Sequence, residues 1–270
     1  MRMRALLGFA LAWAVLPARA LEDVPFVTSP DNVTRAMLEL AKVGPDDYLI
    51  DLGSGDGRIV IEAARAFGAR GLGVEIDPKL VELSRSRARA SGVGERALFR
   101  EQDLFKTDLT PASVITMYLL PDVNLQLRPK LLALRPGTRV VSHDWDMGDW
   151  QPDRTITVDV PEKKVGLEKS SKIHLWIVPM RVQGDWCGTG KARGTLLRLA
   201  QQYQLLRGRF EQGEEAQEFF GRIEATLAHS PKQVNIRELG VGRLQVQAIS
   251  NKYRPWHGAT FVPLRGKSCK

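Results

Sequence analysis

Cysteine is scarce in this 270-residue sequence, which contains only Cys187 and Cys269. Two thiols exclude a disulfide-rich scaffold and a zinc site built from four thiolates. Two alternatives stay open for them: one disulfide formed in an oxidising compartment, or two unrelated buried thiols.

Long apolar runs and several motifs are also missing. With 43% apolar and 26% charged residues, the composition excludes a wholly disordered chain, a collagen-like repeat and a multi-span membrane protein. The sequence has no Gly-Lys-Ser/Thr phosphate loop, no Gly-x-Ser-x-Gly and no His-Glu-x-x-His. These absences leave nucleotide-triphosphatase and hydrolase functions without support.

Positive charge is concentrated toward the end of the chain. Residues 181–270 hold 15 basic and 7 acidic residues, whereas residues 21–180 have a net charge of −3. Such a basic end either meets an anionic membrane or an acidic partner, or is simply a solvated face. No basic stretch carries the interleaved aromatic residues of a single-strand stacking platform, so no nucleic-acid partner is predicted.

The first twenty residues resemble an export signal. Arg2 and Arg4 precede an apolar run over 5–16, and Ala18-Arg19-Ala20 has the form of a cleavage site. The apolar run is shorter than the roughly twenty residues needed to span a bilayer as a helix. We therefore expect an exported or periplasmic protein that loses residues 1–20, with an uncleaved membrane anchor as the alternative.

Strand and helix patterns alternate through residues 21–180. Helical spacing covers 31–43, 58–67, 78–90 and 123–134, and strand patterns cover 48–52, 71–76, 96–101, 113–119, 138–142, 155–160 and 173–178. This alternation predicts a doubly wound α/β domain over 21–180, with a mostly parallel seven-stranded sheet covered by helices on both faces.

The pattern changes after Pro179, where glycines become frequent and the segments shorten. Strands are predicted at 194–199, 203–210, 221–227, 241–249 and 259–264. They favour a small antiparallel barrel or sandwich, and hence a basic, β-rich accessory domain over 181–270. Residues 214–228 can alternatively form a helix, because the pattern there fits both.

A glycine-rich turn follows the first strand, in Asp51-Leu-Gly-Ser-Gly-Asp-Gly57. Glycines let a backbone turn sharply and approach a ligand, although such a turn is also found without a ligand. Its spacing differs from the G-x-G-x-x-G of dinucleotide sites. A carboxylate at Asp51 would repel a pyrophosphate and attract an ammonium, such as that of S-adenosylmethionine.

Two more acids follow the next strands. Glu75 ends the second strand, where a carboxylate can accept hydrogen bonds from both ribose hydroxyls. Asp103 follows the third strand and can accept the adenine amino group, with Leu104 and Phe105 beside the ring. Each acid could be an ordinary loop residue, but three at successive strand ends indicate a nucleoside site.

These segments resemble the first three motifs of the class I S-adenosylmethionine-dependent methyltransferases, over about residues 24–180. Within that class, 25–30, 51–61, 103–108 and 134–141 are similar to the mitochondrial lysine methyltransferases of ATP synthase c-subunit and adenine nucleotide translocase. The resemblance implies a Rossmann-like fold and S-adenosyl-L-methionine as cofactor. It implies contacts from Asp51, Gly53, Ser54, Gly55, Gly57, Glu75, Ile76, Asp103, Leu104 and Tyr118. Thr28 either binds the cofactor carboxylate or caps the helix that starts near Pro30.

The acceptor side has a weaker sequence signal. The fourth strand ends at Tyr118-Leu-Leu-Pro121, which is not the Asn/Asp-Pro-Pro-Tyr of amide- or adenine-nitrogen enzymes. Tyr118 either faces the methyl group or packs in the core, and Pro121 is a candidate substrate contact. Tyr118 and Asp144 are the catalytic candidates, although neither role is fixed by a motif.

An acidic and aromatic run follows the fifth strand, in His143-Asp-Trp-Asp-Met-Gly-Asp-Trp150. Its spacing matches no metal motif, so no metal is predicted, and a solvated loop is one alternative. The preferred interpretation places Asp144 and Trp145 at a substrate entrance that attracts a cationic lysine, with Trp150 as a lid or core residue.

Three functions therefore stay open. The first is methylation of a protein, on lysine, at or near a membrane. The second is methylation of a small molecule or lipid. The third is an exported, non-catalytic binding protein that retains the fold.

Overall fold

The computed structural model describes residues 27–163, 168–240, 242–266 and 268–269. The predicted leader, residues 1–20, lies outside these ranges. The described residues form an open α/β sheet followed by a closed β-barrel. None of their helices is both long and apolar enough to span a membrane.

The open sheet has seven strands. They are β1 (Tyr48–Leu52), β2 (Arg70–Glu75), β3 (Ala97–Glu101), β4 (Val114–Met117), β5 (Arg139–His143), β6 (Arg154–Asp159) and β7 (Ser170–Ile177). Their spatial order is β3-β2-β1-β4-β5-β7-β6. The first five run parallel and β7 is antiparallel to both of its neighbours. The predicted mostly parallel, seven-stranded sheet is confirmed.

Four helices cover this sheet: α1 (Asp31–Leu40), α2 (Arg58–Ala66), α3 (Pro78–Ala90) and α4 (Pro121–Leu132). One apolar core packs α1, α2 and α3 against one face of the sheet, and a second core packs α4 against the other. Helix α3 begins where the Asp77 carboxylate accepts a hydrogen bond from the Lys79 amide. Proline at its first position needs no hydrogen-bond partner there.

The barrel has eight antiparallel strands. They are β8 (Gly184–Gly188), β9 (Leu196–Gln202), β10 (Leu205–Gln212), β11 (Glu215–Glu224), β12 (Leu227–Ser230), β13 (Val234–Gly240), β14 (Arg243–Ala248) and β15 (Thr260–Pro263). Strand β15 pairs with β8 and closes the ring. Along β10, buried and exposed residues alternate, which is the two-residue period of a strand with one face in a core.

The helix considered for 214–228 does not form. Residues 215–222 pair with β10, and the ring of Phe219 packs over Gly208. A Cβ at Gly208 would lie 1.9 Å from that ring, so glycine is required there. Inside the barrel, Phe210 stacks on Trp256 with ring centroids 4.3 Å apart. Burial of these aromatics outweighs the helical pattern of the segment.

Sequence analysis missed three barrel strands, β8, β12 and β13. It also extended the strand at 221–227 through a turn, where Ala225 has a left-handed φ of +52°. Cys187 in β8 is bonded to Cys269. Of the two alternatives for the thiols, the structure therefore has the disulfide.

Buried polar contacts join the barrel to the sheet. The Gln204 side-chain amide donates a hydrogen bond of 2.7 Å to the Asp153 carboxylate. Its oxygen accepts a hydrogen bond of 2.9 Å from the Trp150 indole. Arg222 of the barrel donates a hydrogen bond of 2.6 Å to the same Asp153 carboxylate. The Trp150 side chain is fully buried. Of the two alternatives for Trp150, a lid or a core residue, the structure has the core residue.

Candidate active site

The carboxyl ends of the central parallel strands open on a cavity of about 790 Å³. Strands β1 and β4 are neighbours here while the chain continues from β1 to β2, so this is the point where the strand order reverses and where open α/β sheets bind ligands. Ten predicted cofactor residues line the cavity: Thr28, Asp51, Gly53, Ser54, Gly55, Glu75, Ile76, Asp103, Leu104 and Tyr118. Sequence positions far apart are thus brought together as the motifs suggested.

The glycine turn forms one wall. The amides of Gly53 and Ser54 both donate to the Val74 carbonyl, at 3.0 and 2.9 Å. Gly57 has φ +80°, and a Cβ there would lie 2.7 Å from the Phe99 ring. Gly57 does not line the cavity. It lets α2 begin close against β3 instead.

Asp51 is a buried carboxylate in the cavity wall. Its side chain accepts a hydrogen bond of 2.7 Å from the Thr116 hydroxyl. Burial, together with the charges of Glu75 and Asp56, raises the pKa of Asp51 to about 7, and the Thr116 hydrogen bond opposes this shift. A cation in the cavity would stabilise the ionised form.

Glu75 holds the turn to the second strand. One of its oxygens accepts from the Gly55 amide at 2.9 Å, and the other accepts from Ile76 at 2.8 Å and Asp77 at 3.1 Å. A carboxylate has about four acceptor sites, so Glu75 keeps acceptor capacity toward the cavity. It is suited to binding hydroxyl groups.

Asp103 closes the far side of the cavity. Its carboxylate accepts a hydrogen bond of 2.8 Å from the Phe105 amide. This bond caps a short 3-10 helix at Leu104–Lys106. The side chains of Leu104 and Phe105 also line the cavity. An acceptor beside two apolar side chains fits a flat ring that bears an amino group.

The segment before α1 is tied down by residues that sequence analysis did not select. Arg58 donates one hydrogen bond of 2.8 Å to the Ser29 carbonyl and another of 2.7 Å to the Asp56 carboxylate. Asp56 also contacts Arg87. Burial alone would raise the pKa of Asp56, but these two arginines lower it. The ion pairs keep Thr28 and Ser29 over the cavity.

Ser54 carries a buried hydroxyl that has no hydrogen-bond partner among the described residues. It lies in the cavity wall beside the glycines. A polar group left unpaired in this way costs free energy, unless a ligand supplies the missing bond. The Ser54 oxygen points at Gly73, where an added Cβ would lie 2.6 Å from it, so it is the buried Asp51 that fits the cavity to a positively charged ligand.

Tyr118 lines the cavity at the end of β4 and stacks on His143. Burial and the charge of Asp144 raise the pKa of the Tyr118 hydroxyl. Sequence analysis considered His143 only as a metal ligand. Among the residues that the structure describes, no cluster of three His, Cys, Asp or Glu side chains could hold a metal.

Other predicted acceptor-side residues lie outside the cavity lining. Pro121 begins α4. Asp144 has a left-handed φ of +62°, and its carboxylate contacts the Lys163 ammonium at 2.8 Å and the Lys172 amide at 3.0 Å. It is held in a turn and does not reach the cavity. Trp145 is 42% exposed on the adjoining loop.

This sheet order, with acids at the ends of β1 and β2 and after β3 around one cavity, defines a class I S-adenosylmethionine-dependent methyltransferase. The family profile for the ANTKMT methyltransferase domain matches residues 51–154. A protein-lysine N-methyltransferase of Saccharolobus islandicus (strain REY15A) is 44% identical over 138 residues, which make up 50% of this chain and 86% of the relative.

Two further similarities agree. The lysine N-methyltransferase of the ATP synthase c-subunit from Rattus norvegicus is 36% identical over 144 residues, 52% of this chain and 65% of the relative. The structure of an RNA methyltransferase from Salinibacter ruber, in complex with S-adenosyl-L-homocysteine, is 51% identical with a TM-score of 0.52. The match covers 58% of this chain and 96% of the Salinibacter ruber chain.

The chain therefore belongs to the family of the ANTKMT methyltransferase domain, and S-adenosylmethionine is its cofactor.

Proposed function

We propose that the protein transfers the methyl group of S-adenosylmethionine to a lysine amine of a protein. The observation that carries this is the cavity with a carboxylate from each of three strand ends. The relatives named as lysine methyltransferases supply the choice of acceptor. The enzyme class is given by the family, whereas the acceptor is the proposal.

Each cofactor group would have its own partner in the cavity. Asp51 would hold the ammonium of the methionine part, and Glu75 would accept from the ribose hydroxyls. Asp103 would accept from the adenine amino group. Ser54 would contribute to the wall beside the cofactor, and the exposed Ile76 would cover the adenosine.

Thr28 and the turn glycines complete this proposed cofactor site. Thr28 lies on the tied segment over the cavity, where its hydroxyl would meet the methionine carboxylate. Gly53 and Gly55 would let the cofactor approach the backbone closely, because neither carries a Cβ. Ion pairing by Asp51 should dominate the affinity, because it is the most buried of the three acids.

Methyl transfer requires alignment rather than proton chemistry on the donor. The bound cofactor supplies a methyl group on a positively charged sulfur. The chain's own residues have to align a neutral amine with that methyl group and exclude water. We place Tyr118 beside the reacting amine, and Trp145 at the mouth, where an aromatic face attracts the incoming ammonium.

Labelled-methyl transfer tests the acceptor. Protein, cofactor with a labelled methyl group and a membrane extract are incubated, and the labelled fraction is hydrolysed and searched for methyl-lysine. Asp51→Asn should abolish the label, whereas Asp46→Asn, at an exposed acid outside the cavity, should retain it.

Label in RNA instead of protein would replace the lysine assignment by RNA, an acceptor that the similarity to the Salinibacter ruber RNA methyltransferase favours. Label in a small molecule or lipid would support the second function. The absence of label from every fraction, with S-adenosylhomocysteine still bound, would support a non-catalytic binding protein.

We also propose that the protein is exported, or is anchored at the membrane by residues 1–20. The leader pattern and the Cys187–Cys269 disulfide both support an oxidising compartment. Sequencing the mature N-terminus separates the two forms, since cleavage leaves residue 21 first. Alkylation of both thiols in freshly lysed cells would contradict the oxidised state.

The barrel offers a basic surface for an anionic partner, such as the membrane that holds a protein substrate. Arg237 and Arg243 are exposed on its neighbouring strands β13 and β14. Changing both to Gln should weaken binding to vesicles of anionic lipid at low salt and leave cofactor binding intact. Equal vesicle binding before and after the change would remove this part of the proposal.

A further inference from the structure

His143 forms a second layer behind the cavity wall. It ends β5 and is 2% exposed. Its ring lies against Tyr118, with centroids 3.8 Å apart and 28° between the planes. Because Tyr118 itself lines the cavity, movement of the imidazole would move that wall.

Both ring nitrogens of His143 are held. Nδ1 lies 2.8 Å from the Ser29 hydroxyl and Nε2 lies 2.9 Å from the Ser171 hydroxyl. A neutral imidazole has one donor and one acceptor nitrogen, and a hydroxyl can serve either. One tautomer therefore satisfies the whole network. The ring links the segment before α1 to β5 and β7.

Burial favours the neutral form of the His143 ring, although a carboxylate lies nearby. Asp144 lies 3.6 Å from Nε2, and its carboxylate is shared with Lys163 at 2.8 Å. Burial lowers the pKa of His143 to about 4; Asp144 opposes this and Lys163 adds to it. An uncharged ring suits this place, because a sulfonium and an incoming ammonium are both cations.

We propose that His143 is a positioning residue of the methyl-transfer site, which fixes the Tyr118 ring and the Ser29 hydroxyl in one arrangement. It acts through these two cavity-lining residues and touches no reacting atom. The inference rests on the proposed function for the nature of the acceptor, an amine.

The chemistry explains why such positioning matters. The lysine ammonium first releases a proton to solvent and becomes a neutral amine. The amine lone pair then forms the N–C bond while the electrons of the S–C bond stay on sulfur, giving a methylammonium and S-adenosylhomocysteine. Bond making and breaking are in line, so a displacement of about 1 Å can lower the rate about a hundredfold. Ground-state cofactor binding should change less than the rate, because Tyr118 and Ser29 are only two of the residues that line the cavity.

Two variants separate the two contacts of the ring. His143→Phe keeps an aromatic ring behind Tyr118 and loses both hydrogen bonds, whereas His143→Gln keeps polar contacts and loses the ring. We expect kcat to fall about 10- to 100-fold in both, with the affinity for S-adenosylhomocysteine within twofold of the parent.

His174→Phe is the matched control. This histidine is also nearly buried in the sheet, but it contacts Thr155 and Trp176 away from the cavity. Its variant should keep the parent kcat. The inference is overturned if both His143 variants keep kcat within twofold, or if cofactor affinity falls as far as kcat does.

A second readout needs no methyl acceptor. In the full chain labelled with ¹⁵N-histidine and saturated with S-adenosylhomocysteine, we expect one neutral tautomer of His143 that does not titrate between pH 8 and about 5.5. Titration near the ordinary histidine value of about 6.5 would overturn the inference. This measurement decides the question even if the acceptor proves not to be lysine.

Discussion

Asp51 couples ionisation to both stability and ligand binding. Its pKa is about 7 in the folded chain, against an ordinary value of 3.8 that the unfolded chain keeps. Between these values the folded state holds the proton more tightly, so the cofactor-free protein loses stability as pH rises from about 4 to 7. The gap corresponds to at most about 4 kcal/mol, because one pKa unit is about 1.4 kcal/mol.

Asp51→Asn should therefore raise the melting temperature of the cofactor-free protein at pH 8 and change it little at pH 4. Asparagine keeps an acceptor for the Thr116 hydroxyl and carries no charge to bury. Thermal unfolding followed by circular dichroism at the two pH values measures this, with Asp46→Asn as the exposed control. A lower melting temperature of Asp51→Asn at pH 8 would contradict the burial argument.

The affinity for the cofactor should rise with pH, whereas the stability of the cofactor-free protein falls. A cationic ligand binds the ionised carboxylate, so affinity for S-adenosylhomocysteine should rise with pH, up to about tenfold per unit, and level off above about pH 7. Calorimetric titration from pH 5.5 to 8 measures it, and Asp51→Asn should flatten the curve. A flat curve in the parent protein would mean that Asp51 is not the cation's partner.

The acids of the site were predictable and its second layer was not. Asp51 and Glu75 lie at the end of a strand pattern and Asp103 follows one, and parallel strands end at one edge of a sheet. His143 and Ser29 are 114 positions apart. Their contact depends on β5 lying beside β4, which no local pattern encodes. Asp144 was misplaced for the same reason, since its turn geometry becomes visible only in the fold.

At the scale of elements, the glycine turn matters for packing as well as for the ligand. Gly57 combines a left-handed φ with close neighbours, since an added Cβ would lie 2.7 Å from Phe99 and 2.9 Å from Ser84. Gly92 has a similar φ of +69° and no neighbour within 4 Å. The two glycines separate backbone strain from crowding.

Gly92→Ala should destabilise the fold by about 1–2 kcal/mol, the cost of a left-handed alanine. Gly57→Ala should lose about 1–3 kcal/mol more, because Phe99 and α3 must move. Urea unfolding of both variants gives the difference. Equal losses would show that α2 and β3 adjust freely around the turn.

Element types in the α/β part followed from periodicity, because α1 and α2 are clearly amphipathic and the inner strands are mostly apolar. The barrel was harder. Strands such as β12, with four residues, are too short to show a period, and 214–228 fits a helix and a strand equally. Long-range pairing with β10 decides the latter, and pairing partners are not visible in a local window.

At the scale of the whole molecule, Asp153 connects two bodies that have separate cores. Its carboxylate accepts hydrogen bonds from Gln204 and Arg222 of the barrel and from the Ile177 amide of the sheet. We predict that Asp153→Ala splits a single calorimetric unfolding transition into two, since each body keeps its own core. Asp159→Ala, at an exposed acid of β6, should leave one transition. An unsplit transition for Asp153→Ala would show that other contacts suffice to join the bodies.

The closing pair of the barrel has a consequence for biosynthesis. Strand β8 must wait for β15, about seventy positions downstream, before its second edge is satisfied. The sheet that carries the cavity has no such dependence on late sequence and can mature while the ribosome is still working. During that interval the unfinished barrel offers exposed strand edges to chaperones.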